Sequence, residues 1–286
     1  MRSSAASDVY KRQAMKYYDM AIKANPGDAL LLTESDKIHE QANMPESQRL
    51  KRLETHLKTV MKHDDAVMRL LTLYNITGQY DKAIRIMDKR HFHLWEGGGQ
   101  IHDMYADSHL LKGIRLLDKR KYKEAIAEFD LANQYPVNLE VAPSRWGGYE
   151  AKVYYLSGIA YQALGHKNQA EDCFKKSAAG NTPDGLSDLG YYKVKSLRKL
   201  NQVNEADKLL SEMQDRLKTV QQNLMDSYAK FGEENKNIQQ SNVAYYDGLI
   251  QLLKENKDLA GGKFRQALEF YPGNVWAKTM SEGIVY

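Results

Sequence analysis

The chain has 286 residues, 42% of them apolar and 27% charged, with a formal net charge of +4 and a mean hydropathy of −0.64. That composition supports a sizeable core, but the longest apolar runs, such as residues 29–32, fall far short of the roughly 18 residues a membrane-spanning helix requires. The interspersed charge gives no support for nucleic-acid binding, and one cysteine, Cys173, excludes an internal disulfide framework or a multi-cysteine metal site and fits a reducing compartment.

Residues 1–13, MRSSAASDVYKRQ, carry neither a hydrophobic signal core nor helical periodicity. They resemble the translated sequencing-adapter tract that heads some metagenomic gene models. The fold is therefore expected to occupy 14–286 behind a non-native leader. On that reading the natural start is missing and the compartment stays open, with cytoplasm the setting that Cys173 fits.

From Ala14 onward apolar residues recur at helical spacing, and the six prolines fall between periodic segments. Ala14, Tyr18, Ala21 and Pro26 read as the second helix of a pair whose first helix is absent. Helices follow near 29–42 and 46–63, and Gly78 with Ala83 marks a further turn and second helix. An insertion near 90–103 precedes a pair at 106–134, marked by Gly113, Ala125, Phe129, Ala132 and Pro136. A second insertion, 136–149, leads into Gly158, Ala170, Phe174 and Ser177, and a third covers 178–187. Asn201 and Ala206 repeat the turn-to-helix step before a longer helix near 204–231. Gly232 and the charged Glu233–Lys236 predict a break there, with a subdivision near 232–240. The last unit carries Gly248, Ala260, Phe264, Ala267 and Pro272, and a short helix at 274–280 places Trp276 over the exposed end of the array.

This spacing resembles the tetratricopeptide family. The resemblance implies an all-α, right-handed α-solenoid of about seven helix pairs. Within each pair a small residue on either helix permits close approach, and the aromatic fills the gap to the next pair. Residues 46–54, 91–113 and 135–165 further resemble the C-terminal repeat region of a family of large bacterial proteins. There an N-terminal β-sandwich domain, similar to sugar-mutarotase folds, precedes the repeats, and the Trp95–Gly98 element is the most specific match. That likeness places any carbohydrate-related activity mostly outside the present chain and transfers no catalytic residue.

Two insertions carry the strongest candidate contacts. His93, Trp95 and Glu96 lie in a His- and Gly-rich turn that suits either packing of the turn or sugar stacking. Arg145 and Trp146 repeat the aromatic-plus-glycine theme before the next helix, again as a packing loop or a recognition loop. First-helix tyrosines supply the third set. Tyr155, Tyr191 and Tyr245, with Asn75, Lys195, Arg198 and Asn242, either line a concave groove or fill the core. The Lys and Asn pattern of the carboxylate-clamp subgroup is not reproduced at matching positions.

No phosphate loop, nucleophile elbow or zinc motif is present, so no catalytic residue, cofactor or metal site is assigned. The reading is a non-catalytic scaffold for a protein partner or for its own missing N-terminal domain. The alternative is the C-terminal arm of a carbohydrate-active protein, with Trp95, Glu96 and Trp146 completing an interdomain sugar site. Repeat-mediated self-association is a third reading.

Overall fold

The structure, a computed structural model, describes residues 2–93, 100–143, 148–181 and 186–283, with side chains omitted at 2–8, 100 and 224–235. Every regular element among the described residues is helical, and two compact units divide the chain: Met1–Ser108 with Pro136–Val141, and His109–Tyr135 with Ala142–Tyr286. The boundary between the units falls after Ser108.

The first unit contains α1 (Arg2–Ala24), α2 (Ala29–Gln41), α3 (Glu46–Thr55), α4 (Leu57–Val60), α5 (Asp64–Ile76), α6 (Tyr80–Lys89), the start of α7 (Gln100–Asp118) and a 3-10 turn at Val137–Leu139. Helix α1 runs through most of the stretch read as a foreign leader, and Lys11 donates to the Gln41 carbonyl at 3.0 Å. Asp28 caps α2 by accepting from the amides of Leu30 and Leu31, and Asp64 and Asp65 place negative charge on the first turn of α5, where the helix dipole favours it. Val60, Val67, Leu70, Leu71, Met87, Phe92 and Leu139 form the apolar core. Beside it lies a buried ionic cluster. Arg49 donates to Asp36 from Nε and Nη2 at 2.9 and 2.8 Å, and Arg69 bonds both Asp36 and Glu40.

The second unit contains the rest of α7, α8 (Tyr122–Ala132), α9 (Glu150–Ala163), α10 (Lys167–Ala179), α11 (Leu189–Lys199), α12 (Val203–Leu253), α13 (Lys257–Phe270) and α14 (Val275–Ser281). Helix is assigned over the whole of α12, yet α12 is not one straight rod. Val220 and Asn223 line the same cavity as Gln239, Asn242 and Val243, while Leu209 and Met213 share another with Tyr246 and Ile250. A straight helix would hold Val220 and Val243 about 35 Å apart. The chain therefore turns back between Asn223 and Gln239, although helix is assigned throughout 232–240, where the sequence predicts a break. One half of α12 pairs with α11 and the other with α13.

Among the described residues six helix pairs result, with α1 before them in the chain and α14 after. Each pair turns on one residue in the left-handed region: Asn43, Gly78, Arg120, Gly165, Asn201 or Glu255, with φ between 53° and 78° among these and Glu140. The following amide in every case returns to a carbonyl five residues back, as in Gln79 to Tyr74 at 2.8 Å and Asn256 to Gln251 at 2.9 Å. That is the closure that ends a helix on a left-handed residue. In three pairs a first-helix glycine receives a second-helix phenylalanine ring. A Cβ at Gly158 would stand 2.6 Å from Phe174, one at Gly248 2.5 Å from Phe264, and one at Gly113 closer still to Phe129. The ring thus seats on its own pair's glycine rather than chiefly bridging to the next pair, because removing the Cβ opens a slot the width of an aromatic face.

Candidate functional site

Helix α11 presents Tyr191, Lys195, Arg198 and Lys199 at spacings of three and four, so they share one face. Opposite stand Tyr155 on α9, Leu252 and Leu253 at the end of α12, and Glu255 and Lys257 at the turn into α13, enclosing a cavity of about 360 Å³. Four cations and one carboxylate line it. Lys195 Nζ donates to the Tyr191 hydroxyl at 3.3 Å and lies 5.3 and 5.2 Å from the ring centres of Tyr155 and Tyr191. Among the described residues no carboxylate reaches it within ion-pairing distance. Burial, reinforced by Lys199 and Arg198, lowers its pKa to about 8. A cation desolvated and crowded by like charge is held short of electrostatic satisfaction, and an entering anion would supply what is missing. Arg198 is fixed by donating to the Leu253 carbonyl at 2.7 Å, and Lys199 by donating to Gln162 Oε1 at 3.0 Å.

The tyrosines serve the core as well as the cavity wall. Tyr155 and Tyr191 are each 1% exposed; Tyr155 packs on Phe174 and Tyr192, and Tyr191 meets Tyr192 edge-on. Burial raises both phenols far above their ordinary range, which keeps them protonated and neutral. Of the two readings, groove lining or core filling, the burial of Tyr155 and Tyr191 matches the second for their rings, and Lys195 supplies the polar group of the cavity. Tyr245 is not in this cavity. It is buried, with its hydroxyl donating to Asp188 at 3.4 Å, and Asp188 in turn pairs with Lys152 at 2.5 Å. Asn75 is also interior, because its carbonyl accepts from the Ser108 hydroxyl at 2.8 Å. Cys173 is buried and its thiol is pushed up to about 11, chiefly by burial, as suits a packing residue.

Of the insertion candidates, His93 stands exposed in the first unit, while Trp95, Glu96, Arg145 and Trp146 lie outside the described residues. The His-rich segment divides by burial. His102 and His109 are interior, with His109 Nδ1 2.7 Å from Glu128, which also pairs with Lys112 at 2.8 Å. His91 and His93 face solvent beside Glu140, a neighbour 47 residues beyond His93 that no local spacing could reveal. Lys152 was equally hidden, because a lysine on a first helix reads as a surface residue.

No family model matches the sequence. Among solved structures, the crystal structure of YrrB, described as a TPR protein with an unusual peptide-binding site, aligns with 93% of this chain and 97% of its own at 16% identity and a TM-score of 0.23. That likeness carries no assignment. No described helix is long and apolar enough to cross a membrane.

Proposed function

We propose that the chain is a non-catalytic, protein-binding helix-pair scaffold whose Lys195 cavity receives a carboxylate-bearing peptide segment. The observation that carries this reading is a partly buried cation that no carboxylate among the described residues pairs with, walled by Tyr155 and Tyr191 and surrounded by Arg198, Lys199 and Lys257. Such a site favours an anion in two ways. A carboxylate relieves the mutual repulsion of the cations, and the flanking Leu252 and Leu253 offer apolar contact to the segment that bears it. The segment belongs to a separate protein or to another domain of a longer chain. The carbohydrate reading rests on Trp95, Glu96 and Trp146, and the peptide reading is the one with described geometry beneath it.

Selection of displayed random decapeptides against the protein, followed by fluorescence anisotropy of the winners, tests the proposal. Enrichment of Asp- or Glu-containing sequences, with affinity lost at least tenfold in Lys195→Met and on replacing the peptide carboxylates by amides, is the expected result. Winners without acidic residues, or binding indifferent to Lys195→Met, would overturn it.

A further inference from the structure

Two segments of the first unit far apart in sequence are locked together around three solvent-facing donors. The amide of Phe92 donates to the Asn138 carbonyl at 2.9 Å, and Asn138 Nδ2 donates to the carbonyls of Met87 and Arg90 at 2.7 and 2.8 Å. Phe92 and Leu139 point into the core, at 3% and 1% exposure. Alternation along the extended segment then throws His91 and His93 to the same outer side. Glu140, next to buried Leu139, takes a left-handed conformation at φ 53° that ends the 3-10 turn. His91 Nε2 lies 2.6 Å and His93 Nδ1 3.9 Å from the same Glu140 oxygen, and one ligand atom of each residue falls within 4.8 Å of the others.

We propose that His91, His93 and Glu140 form a divalent transition-metal site, with zinc the ion it fits best. Two imidazoles and one carboxylate are a donor set that zinc accepts, and bond lengths of about 2.0–2.2 Å place neighbouring donors about 3.3–3.6 Å apart in a tetrahedron. The observed separations bracket that value, so small rotations of exposed side chains complete the geometry. Calcium and magnesium, which require mainly oxygen donors, do not suit it. With three protein donors, a tetrahedral ion takes a fourth ligand such as water. Nearby cations do not close the site. Arg90 is already paired with Asp64 at 2.5 Å, and Arg85 and Lys89 have exposed side chains on the adjoining surface. The sequence assigns no metal here because its third ligand comes from outside the His-rich turn. The bound ion links residues 91–93 to the turn at 137–140 and so braces the first unit.

Calorimetric titration of zinc into the tag-free chain tests this, with Co²⁺ absorption reporting coordination geometry. The expected result is one saturable zinc site per chain, weakened at least tenfold in each of His91→Ala, His93→Ala and Glu140→Gln, with a visible four-coordinate Co²⁺ band lost in the same variants. All three positions are exposed, and circular dichroism checks that the variants remain folded. Absence of saturable binding to the wild type overturns the proposal. So does zinc binding unchanged in His91→Ala and His93→Ala, which would place the ion on others of the eight histidines.

Discussion

Lys152 Nζ sits 3.6 Å from the centre of the Trp276 ring while it forms a 2.5 Å ion pair with Asp188. Trp276 therefore does more than cover the last helix pair. Its indole reaches Lys152 on α9, and Tyr149, just before α9, and Tyr192, on α11, stand 5.8 and 5.5 Å from the same ammonium. Asn274 adds a hydrogen bond from Nδ2 to Ser241 at 3.0 Å, and Arg115 pairs with Glu282 at 2.7 Å. Removal of Trp276 loses a buried indole and the cation–π contact together, so Trp276→Ala should lower stability by about 3–5 kcal/mol. Lys152→Ala strands Asp188 and should cost about 3–5 kcal/mol as well. Urea unfolding of the two single variants and the double variant measures both. If the residues act as one unit, the double variant loses less than the singles combined.

The glycine–phenylalanine seats predict an unusual penalty for a conservative change. Alanine normally favours a helix interior over glycine by about 1 kcal/mol. At Gly158 the added methyl would meet the Phe174 ring at 2.6 Å, so Gly158→Ala should instead destabilise by about 1–3 kcal/mol. Gly262→Ala on α13, where a Cβ meets nothing within 4 Å, is the control and should be neutral or stabilising. Thermal unfolding of the two variants distinguishes the cases by sign.

The buried cluster of the first unit makes its stability acid-sensitive. Burial is the largest single influence on Asp36 and raises its pKa, but hydrogen bonds and charge from Arg49 and Arg69 together outweigh it and hold the carboxyl below its ordinary 3.8. The folded state then binds the proton less readily than the unfolded state. The stabilisation is full above the unfolded pKa near 4 and is lost as pH falls through the lower folded value. Asp36→Asn should remove that part of the acid dependence and destabilise the protein at neutral pH by about 3–5 kcal/mol, since Arg49 is left buried without its main partner. Denaturant midpoints of both proteins between pH 2 and 7 check the slope.

The helix pairs were readable because the residues that define them are local. Gly113, Gly158 and Gly248 recur at fixed distances before Phe129, Phe174 and Phe264, and Gly78, Gly165 and Asn201 are residue types that adopt left-handed turns. Arg120 and Glu255 occupy the same turn position, yet neither type signals it; the helices on either side impose the conformation. The site was readable in part. Tyr155, Tyr191 and Lys195 do line one cavity, but sequence could not tell that the rings are interior while the lysine is the polar contact. That depends on Phe174 and Tyr192 filling the space behind them. Tyr245 belongs elsewhere because Asp188, from the segment before α11, captures its hydroxyl.

The protonation of Lys195 tests the central claim most directly. Because its folded pKa lies near 8 against the ordinary 10.5, its charge opposes folding most strongly below pH 8, and that opposition fades as pH rises from 8 to 10.5. Lys195→Met should therefore raise the Tm at pH 7 and leave it nearly unchanged above pH 10.5. The decisive measurement is NMR titration of the Lys195 side chain with and without a selected acidic peptide. A pKa near 8 in the free protein that rises by one unit or more with the peptide bound is the predicted result. A free value near 10.5, or one that bound peptide leaves unmoved, would contradict the assignment of this cavity as a carboxylate-binding site.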